Sequence, residues 1–155
     1  RQQNKTTQIQ KQTTKEHVVG SIVVNCTGMS ASLLTDDADL TPIKGQTVKV
    51  LAPDVTEFMV VPEGPLSLTY IMPRGDGTVL LGGTHEEGAT QSFATVGSVR
   101  DILSRCTQIM PSLEQAQVVD VWAGYRPTRS TIRIETEILP SSKICIHNYG
   151  HGGSG

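Results

Sequence analysis

Between Val96 and Ile109 the apolar side chains fall at Val96, Val99, Ile102, Leu103, Cys106 and Ile109. Steps of three and four place them on one side of a helix, with Arg100, Asp101, Ser104 and Arg105 opposite. Pro111 cannot continue that helix. Elsewhere the pattern shortens to strands. A first strand is predicted over Val18 to Asn25, where Ile22-Val23-Val24 reads as a run covered on both faces. Cys26-Thr27-Gly28 turns the chain, and Ser30 to Leu34 allows at most a short helix. Gln46 to Leu51 and Phe58 to Val61 read as strands. Leu66 to Pro73 and Thr78 to Gly82, joined by Arg74-Gly75-Asp76-Gly77, predict a hairpin. Val118 to Gly124, Thr131 to Ile138 and Lys143 to His147 supply three more strands. Many strands, one good helix and short links indicate an α+β unit with a largely antiparallel sheet.

Composition narrows the class. The 155 residues are 37% apolar, enough for one domain with a real core. A net charge of −2, with both signs scattered, marks neither nucleic acid nor an anionic membrane as a partner. No apolar run approaches the roughly 20 residues of a membrane helix. Cys26, Cys106 and Cys145 are far apart and odd in number, which predicts buried reduced thiols and neither a disulfide framework nor a metal site. Residues 1–17 are almost wholly polar and read as a frayed or disordered segment.

Two stretches carry candidate chemistry. Alternation over Thr131 to Ile138 separates Ile132, Ile134, Thr136 and Ile138 from Thr131, Arg133, Glu135 and Glu137. With Arg126 and Arg129 just upstream, this region is rich in guanidinium forks that match a carboxylate. The alternative for each arginine is a surface ion pair with Glu135 or Glu137. The second stretch is His147-Asn148-Tyr149-Gly150-His151-Gly152-Gly153-Ser154-Gly155. Its glycines would let a flat ligand approach the backbone closely, whereas a bare glycine tail would not contain a tyrosine and two histidines. Tyr70 is isolated in its strand, and His85 follows Gly82-Gly83-Thr84; by residue type alone each is more often an ordinary strand or loop residue than a ligand contact.

Taken in order, these blocks resemble the FAD-dependent D-amino-acid oxidase and D-aspartate oxidase family. The blocks are Val23-Val24-Asn25-Cys26-Thr27-Gly28, Gly45-Gln46, Tyr70-Ile71-Met72-Pro73 and Leu81-Gly82-Gly83-Thr84. Gly124-Tyr125-Arg126-Pro127-Thr128-Arg129, Ile132-Arg133-Ile134-Glu135 and His147-Asn148-Tyr149-Gly150-His151-Gly152-Gly153 complete them. The resemblance covers residues 18 to 155. It implies that Arg133 pairs with a substrate α-carboxylate and that the Tyr70 hydroxyl assists. Gly153 would offer its carbonyl to the substrate amine, and His85 would lie at a substrate-side position where relatives differ. Cys26, Thr27 and Gly28, and Gly152, Ser154 and Gly155, would lie along FAD. The implied division is an FAD-domain remnant over 18–45, a substrate-binding domain over 46–139 and a return to the FAD domain over 140–155. The implied reaction converts a D-amino acid, dioxygen and water to a 2-oxo acid, ammonia and hydrogen peroxide. No side-chain base is required, because the cofactor is the electron sink and the protein's task is positioning. A peroxisomal location is implied too, and the resemblance allows a homodimer of the full-length protein.

The sequence departs from the family pattern in three respects: its opening, the helix that follows position 155 in the family, which is not present, and one lid position. The family opens with a strand, a Gly-x-Gly-x-x-Gly turn and a helix that hold the pyrophosphate, and this segment is missing here. Gly150 to Gly155 fits the spacing but leads into no helix. Leu66 stands where many relatives carry a further tyrosine. The chain is therefore expected to be part of an oxidase, inactive and without tight FAD binding in isolation. Two alternatives remain. One is a non-catalytic degenerate half that binds a small carboxylate or a protein. The other is a flavin amine oxidase resembling those acting on glycine or sarcosine.

Overall fold

The computed structural model describes residues 20–154, so the polar segment 1–17, Val18, Val19 and Gly155 lie outside the described residues. The chain divides into two compact units, one comprising Arg1–Pro42 with Arg126–Gly155 and the other Ile43–Tyr125. The fold is α+β and its sheet is largely antiparallel.

In the second unit, β2 (Thr41–Leu51, which begins in the first unit) pairs antiparallel with β5 (Thr78–Gly82). That strand pairs with β4 (Thr69–Pro73), and β4 with β3 (Met59–Val61). A two-residue strand, β6 (Glu86–Glu87), adds to β2. Strands β4 and β5 form the predicted hairpin, closed by Arg74 N–H donating to the Thr78 carbonyl at 2.9 Å. Its turn uses Gly75 and Gly77 at positive φ, where a Cβ would be strained. The long helix spans Val96–Ile109, as its periodicity predicts. It buries Ile102 and Cys106 against Val48, Val50, Ile71, Val79 and Leu81, the inward set of alternate strand positions. Burial pushes the Cys106 thiol up to about 11, which makes it a packing residue.

The first unit contains β1 (Ile22–Asn25), a 3₁₀ turn over Gly28–Ser30 and the short helix α1 (Ala31–Thr35); the long helix is therefore α2. β8 (Ile144–His151) pairs parallel with β1 and antiparallel with the end of β7 (Gln117–Ile138). A 3₁₀ turn over Gly152–Ser154 follows.

Three differences from the sequence reading have physical causes. The two strands predicted over Val118 to Gly124 and Thr131 to Ile138 are one strand, β7. The register shifts between Thr128 and Arg133, where an end was predicted, and the strand continues through the bulge. β8 runs past His147 to His151 because backbone pairing with β7 tolerates glycine: Arg133 opposes Tyr149 and Thr128 opposes His151. Finally, β1 is covered on one face only. Ile22 and Val24 are 59% and 57% exposed, while Asn25 is buried, and the Cys26 thiol predicted to be buried is exposed.

Candidate functional site

The inner face of the first unit's three-stranded sheet is built from polar groups. His147 is fully buried and accepts at Nδ1 from the Asn25 side-chain amide, 3.2 Å away. Asn25 is oriented by Thr27, whose hydroxyl and backbone N–H both donate to Oδ1, at 2.7 and 3.3 Å. With Nδ1 accepting, the proton lies on Nε2 and is donated to Glu137 Oε2 at 2.9 Å. This chain of bonds ties the loop after β1 to β8 and to the end of β7.

Two residues further along β8, the buried Tyr149 hydroxyl is a hub. It accepts from Arg133 Nη1 at 2.6 Å, donates to Asp37 Oδ2 at 2.7 Å and lies 3.0 Å from Thr35 Oγ1. Arg129 Nε is 3.0 Å from the same Asp37 oxygen, and Arg133 Nε donates to Glu135 Oε1 at 2.5 Å. The Tyr149 hydrogen bond leads the groups that hold the Asp37 carboxyl below its ordinary range; the Asp39 N–H and both arginines add to it against burial. Burial pulls the Arg133 guanidinium down, but hydrogen bonds to Tyr149 and Glu135 outweigh it and leave the pKa raised.

The register shift explains the geometry. Between the two register points β7 spends residues 129–132 where β8 spends only Gly150. The extra residues bulge from the ladder and wall a cavity of about 380 Å³ with Asp37, Arg133 and Glu135. The Arg129 stem folds back over Gly150, where a Cβ would stand 2.8 Å from Arg129 Cγ and Cδ. Gly150, at φ +88°, is thus required twice over, by conformation and by room. Similarly, a Cβ on Gly152 would meet Thr128 Oγ1 at 3.2 Å, and one on Gly153 would meet Arg126 Cδ at 3.3 Å. The bare backbone predicted to face a flat ligand lies, at these positions, against side chains of β7.

A second cavity, about 470 Å³, is lined by Cys26, Gly28, Pro127, Tyr149, Gly150, Gly152 and Ser154, among others. Of the predicted cofactor-side residues it gathers Cys26, Gly28, Gly152 and Ser154; Thr27 adjoins Cys26, and Gly155 is outside the described residues. Gly153 lies in the turn but not in the cavity wall. Tyr149 lines this cavity and holds Arg133, which lines the other.

Tyr70 and His85 belong to the second unit. The Tyr70 ring packs against Gly82 and Gly83: a Cβ on Gly82 would collide with its ring carbons and hydroxyl. Arg105 fastens the neighbouring backbone, with Nη1 donating to Thr69 Oγ1 at 2.7 Å and Nη2 to the Gly83 carbonyl at 2.8 Å. His85 Nε2 stands 3.5 Å from Glu87 Oε1 on the surface.

Sequence reasoning did not find Asp37, Tyr149 as a hub, or the Asn25–His147–Glu137 chain. Tyr149 and His147 share the inward parity of β8 with Cys145, a signal available in the sequence. Asp37, in the turn after α1, had no such signal.

The arginine-lined cavity and the glycine-walled cavity thus both belong to the first unit of an α+β chain. The chain belongs to the FAD dependent oxidoreductase family (DAO), whose family model matches residues 1–155. D-amino-acid oxidase of Rubrobacter xylanophilus is 44% identical over 86% of this chain and 41% of its own length. Human D-aspartate oxidase is 38% identical over 90% of this chain and 40% of that protein. Among solved structures, glycine oxidase from Geobacillus kaustophilus superposes with a TM-score of 0.71 at 26% identity. That match covers 84% of this chain and 36% of the oxidase. The chain thus spans about two-fifths of the length of the curated relatives it matches.

Proposed function

We propose that this chain is the substrate- and flavin-facing part of an FAD-dependent D-amino-acid oxidase. The reaction would take a D-amino acid, dioxygen and water to a 2-oxo acid, ammonia and hydrogen peroxide. The observation that carries this reading is Arg133. Its guanidinium is held at one edge by Tyr149, and it fronts a cavity large enough for a small amino acid. Relatives named for oxidising D-amino acids and D-aspartate support the substrate class.

The glycine-walled cavity fits part of a flavin. Gly28 adds no side-chain bulk beside Pro127, which supplies an apolar wall, and Gly150 and Gly152 contribute main chain to the lining. Cys26, Thr27, Gly28, Gly152 and Ser154 are the residues that would hold it. The pyrophosphate requires a helix N-terminus that these residues do not supply. When bound, FAD supplies the two-electron acceptor for the substrate Cα–H. The chain's own contribution is positional. Arg133 would take the α-carboxylate, the Tyr70 hydroxyl would share it, and the Gly153 carbonyl would face the amine. His85 would border the side-chain end of the substrate. The domain reading follows: residues 46–139 as the substrate domain, 18–45 and 140–155 as parts of the flavin domain. Peroxisomal residence and a homodimer belong to the same reading.

The test is Arg133→Ala in the full-length, FAD-loaded protein. Loss of a charge-assisted contact worth about 2–4 kcal/mol should lower kcat/KM for D-alanine by roughly 30- to 800-fold. Unchanged kcat/KM would refute the assignment. The glycine oxidase superposition favours a second reading, a small-amine oxidase. Faster turnover of glycine than of D-alanine by the same protein would select it.

A further inference from the structure

We infer that Arg105, reaching the sheet from α2, is a positioning residue for the Tyr70 hydroxyl. The inference rests on the reading of Tyr70 as a substrate contact. All of its parts lie within the second unit.

The seat of the Tyr70 ring is backbone. Tyr70 stands directly opposite Gly82 in the β4–β5 ladder, and its ring packs on Gly82 and Gly83. Two glycines let the ring come close but bring no side chains to steady the chain beneath it. β5 ends at Gly82, so Gly83 lies beyond the ladder. Hydrogen bonds fix its place instead. Its N–H donates to the Leu68 carbonyl at 2.6 Å, and its carbonyl accepts from Arg105 Nη2 at 2.8 Å.

The same guanidinium spans both ends of that seat. Arg105 Nη1 donates to Thr69 Oγ1 at 2.7 Å and to the Ser67 carbonyl at 3.3 Å. Asp101, one turn earlier on α2, accepts from Nε at 2.9 Å and orients the fork. The Arg105 side chain is only 12% exposed. Cys106 Sγ adds a weak contact to the Tyr70 carbonyl at 3.8 Å. One turn of α2 therefore grips the chain just before Tyr70 and the glycine across the ladder from it. Alternation puts Thr69 and Ile71 on the α2 side and the Tyr70 ring on the other, so the grip leaves the ring's own face open to a ligand.

Leu68 shows that this grip is under load. It adopts φ +66°, a left-handed conformation strained for a side chain of its size, although that side chain is half exposed. Such strain persists where surrounding bonds over-determine it. Here those bonds are Arg105 to the carbonyl before Leu68 and Gly83 to the carbonyl of Leu68 itself. An ammonium is a point charge and cannot span these acceptors as a planar fork does.

The experiment is a double-mutant cycle in the full-length, FAD-loaded protein, read as kcat/KM for D-alanine. Tyr70→Phe should lower it roughly 10- to 150-fold, the scale of a lost hydrogen bond to a charged group. Arg105→Met should lower it at least about tenfold, since a small misplacement of a positioning group is costly. Arg105→Lys should recover part of that loss. In the Tyr70→Phe background Arg105→Met should add less than about twofold, because the hydroxyl it places is already gone. Asp101→Asn, at a site 58% exposed and therefore tolerant, runs the same cycle if Arg105→Met does not fold. Alone it should cost about twofold to fivefold, the worth of an exposed ion pair, and nothing further in the Tyr70→Phe background. Full additivity with Tyr70→Phe would make Arg105 a purely structural clamp, which overturns the inference and leaves the proposed function standing. Unchanged kcat/KM in Tyr70→Phe overturns the Tyr70 assignment and the inference with it.

Discussion

At the scale of single residues, the structure separates groups that hold shape from groups that face a cavity. Tyr149→Phe removes one hydroxyl on which Arg133 and Asp37 both depend. The expected loss is about 2–3 kcal/mol, because a buried carboxylate forfeits its only hydroxyl donor; chemical denaturation measures it. Asp37 also sets a pH dependence. Its folded pKa lies below the unfolded value of 3.8. The stabilisation it contributes is therefore present above that value and lost as pH falls through the folded pKa. Melting temperature against pH should show a drop below pH ~4 that is shallower in Asp37→Asn. An identical slope in both proteins would remove Asp37 from the account. In the second unit, Gly82→Ala should cost about 1–3 kcal/mol, the scale of overpacking, because the new methyl occupies the place of the Tyr70 ring.

At the scale of elements, the start of α2 is tied to β2 through one buried side chain. Gln46 accepts at Oε1 from the Thr95 N–H, 2.7 Å away, and donates to Ser98 Oγ at 2.8 Å and to Glu86. Thr95 caps the helix by accepting from the Ser98 N–H at 3.3 Å. Gln46→Leu should destabilise by about 3 kcal/mol, mostly by leaving Glu86 and the Thr95 N–H short of partners. Thr95→Ala should cost about 1 kcal/mol. Urea titrations giving the reverse order would show that the cap, and not the glutamine, holds the helix. The sequence made the helix legible to its last residue because a 14-residue amphipathic period has few competing readings. The hairpin was equally legible through its glycines. β7 and β8 were not, because Pro127 and the glycines of 150–153 normally interrupt pairing, and only the facing strand shows that pairing resumes across a bulge. The site was half legible for the same reason. Arg133 announced itself by residue type, whereas Asp37 reaches it through chain topology.

At the scale of the whole molecule, the two units store their stability differently. The second buries an aliphatic core from β2, β4, β5 and α2. Among the described residues of the first, the buried apolar cluster contains Ala31, Leu40 and Tyr149, with Leu139 and Cys145 buried apart from it. Its larger aliphatic side chains point the other way: Ile134 is 69% and Ile138 78% exposed, on the side of the sheet shared by Ile22, Val24 and Ile144. Polar networks are worth about 1 kcal/mol per hydrogen bond net, whereas each buried aliphatic side chain contributes roughly 1.5–3 kcal/mol. For these 155 residues expressed alone, the first unit should therefore open at lower free energy. Native-state hydrogen exchange should find the amides of β8 less protected than those of β5, with the difference large enough to separate two opening events. Ile134→Thr with Ile138→Thr should leave that protection unchanged while reducing dye binding to exposed apolar surface, since neither side chain is in the core. Equal protection in β8 and β5 would mean that the polar face, with its Asn25–His147–Glu137 chain and Tyr149 hub, holds its strands as firmly as an aliphatic core does.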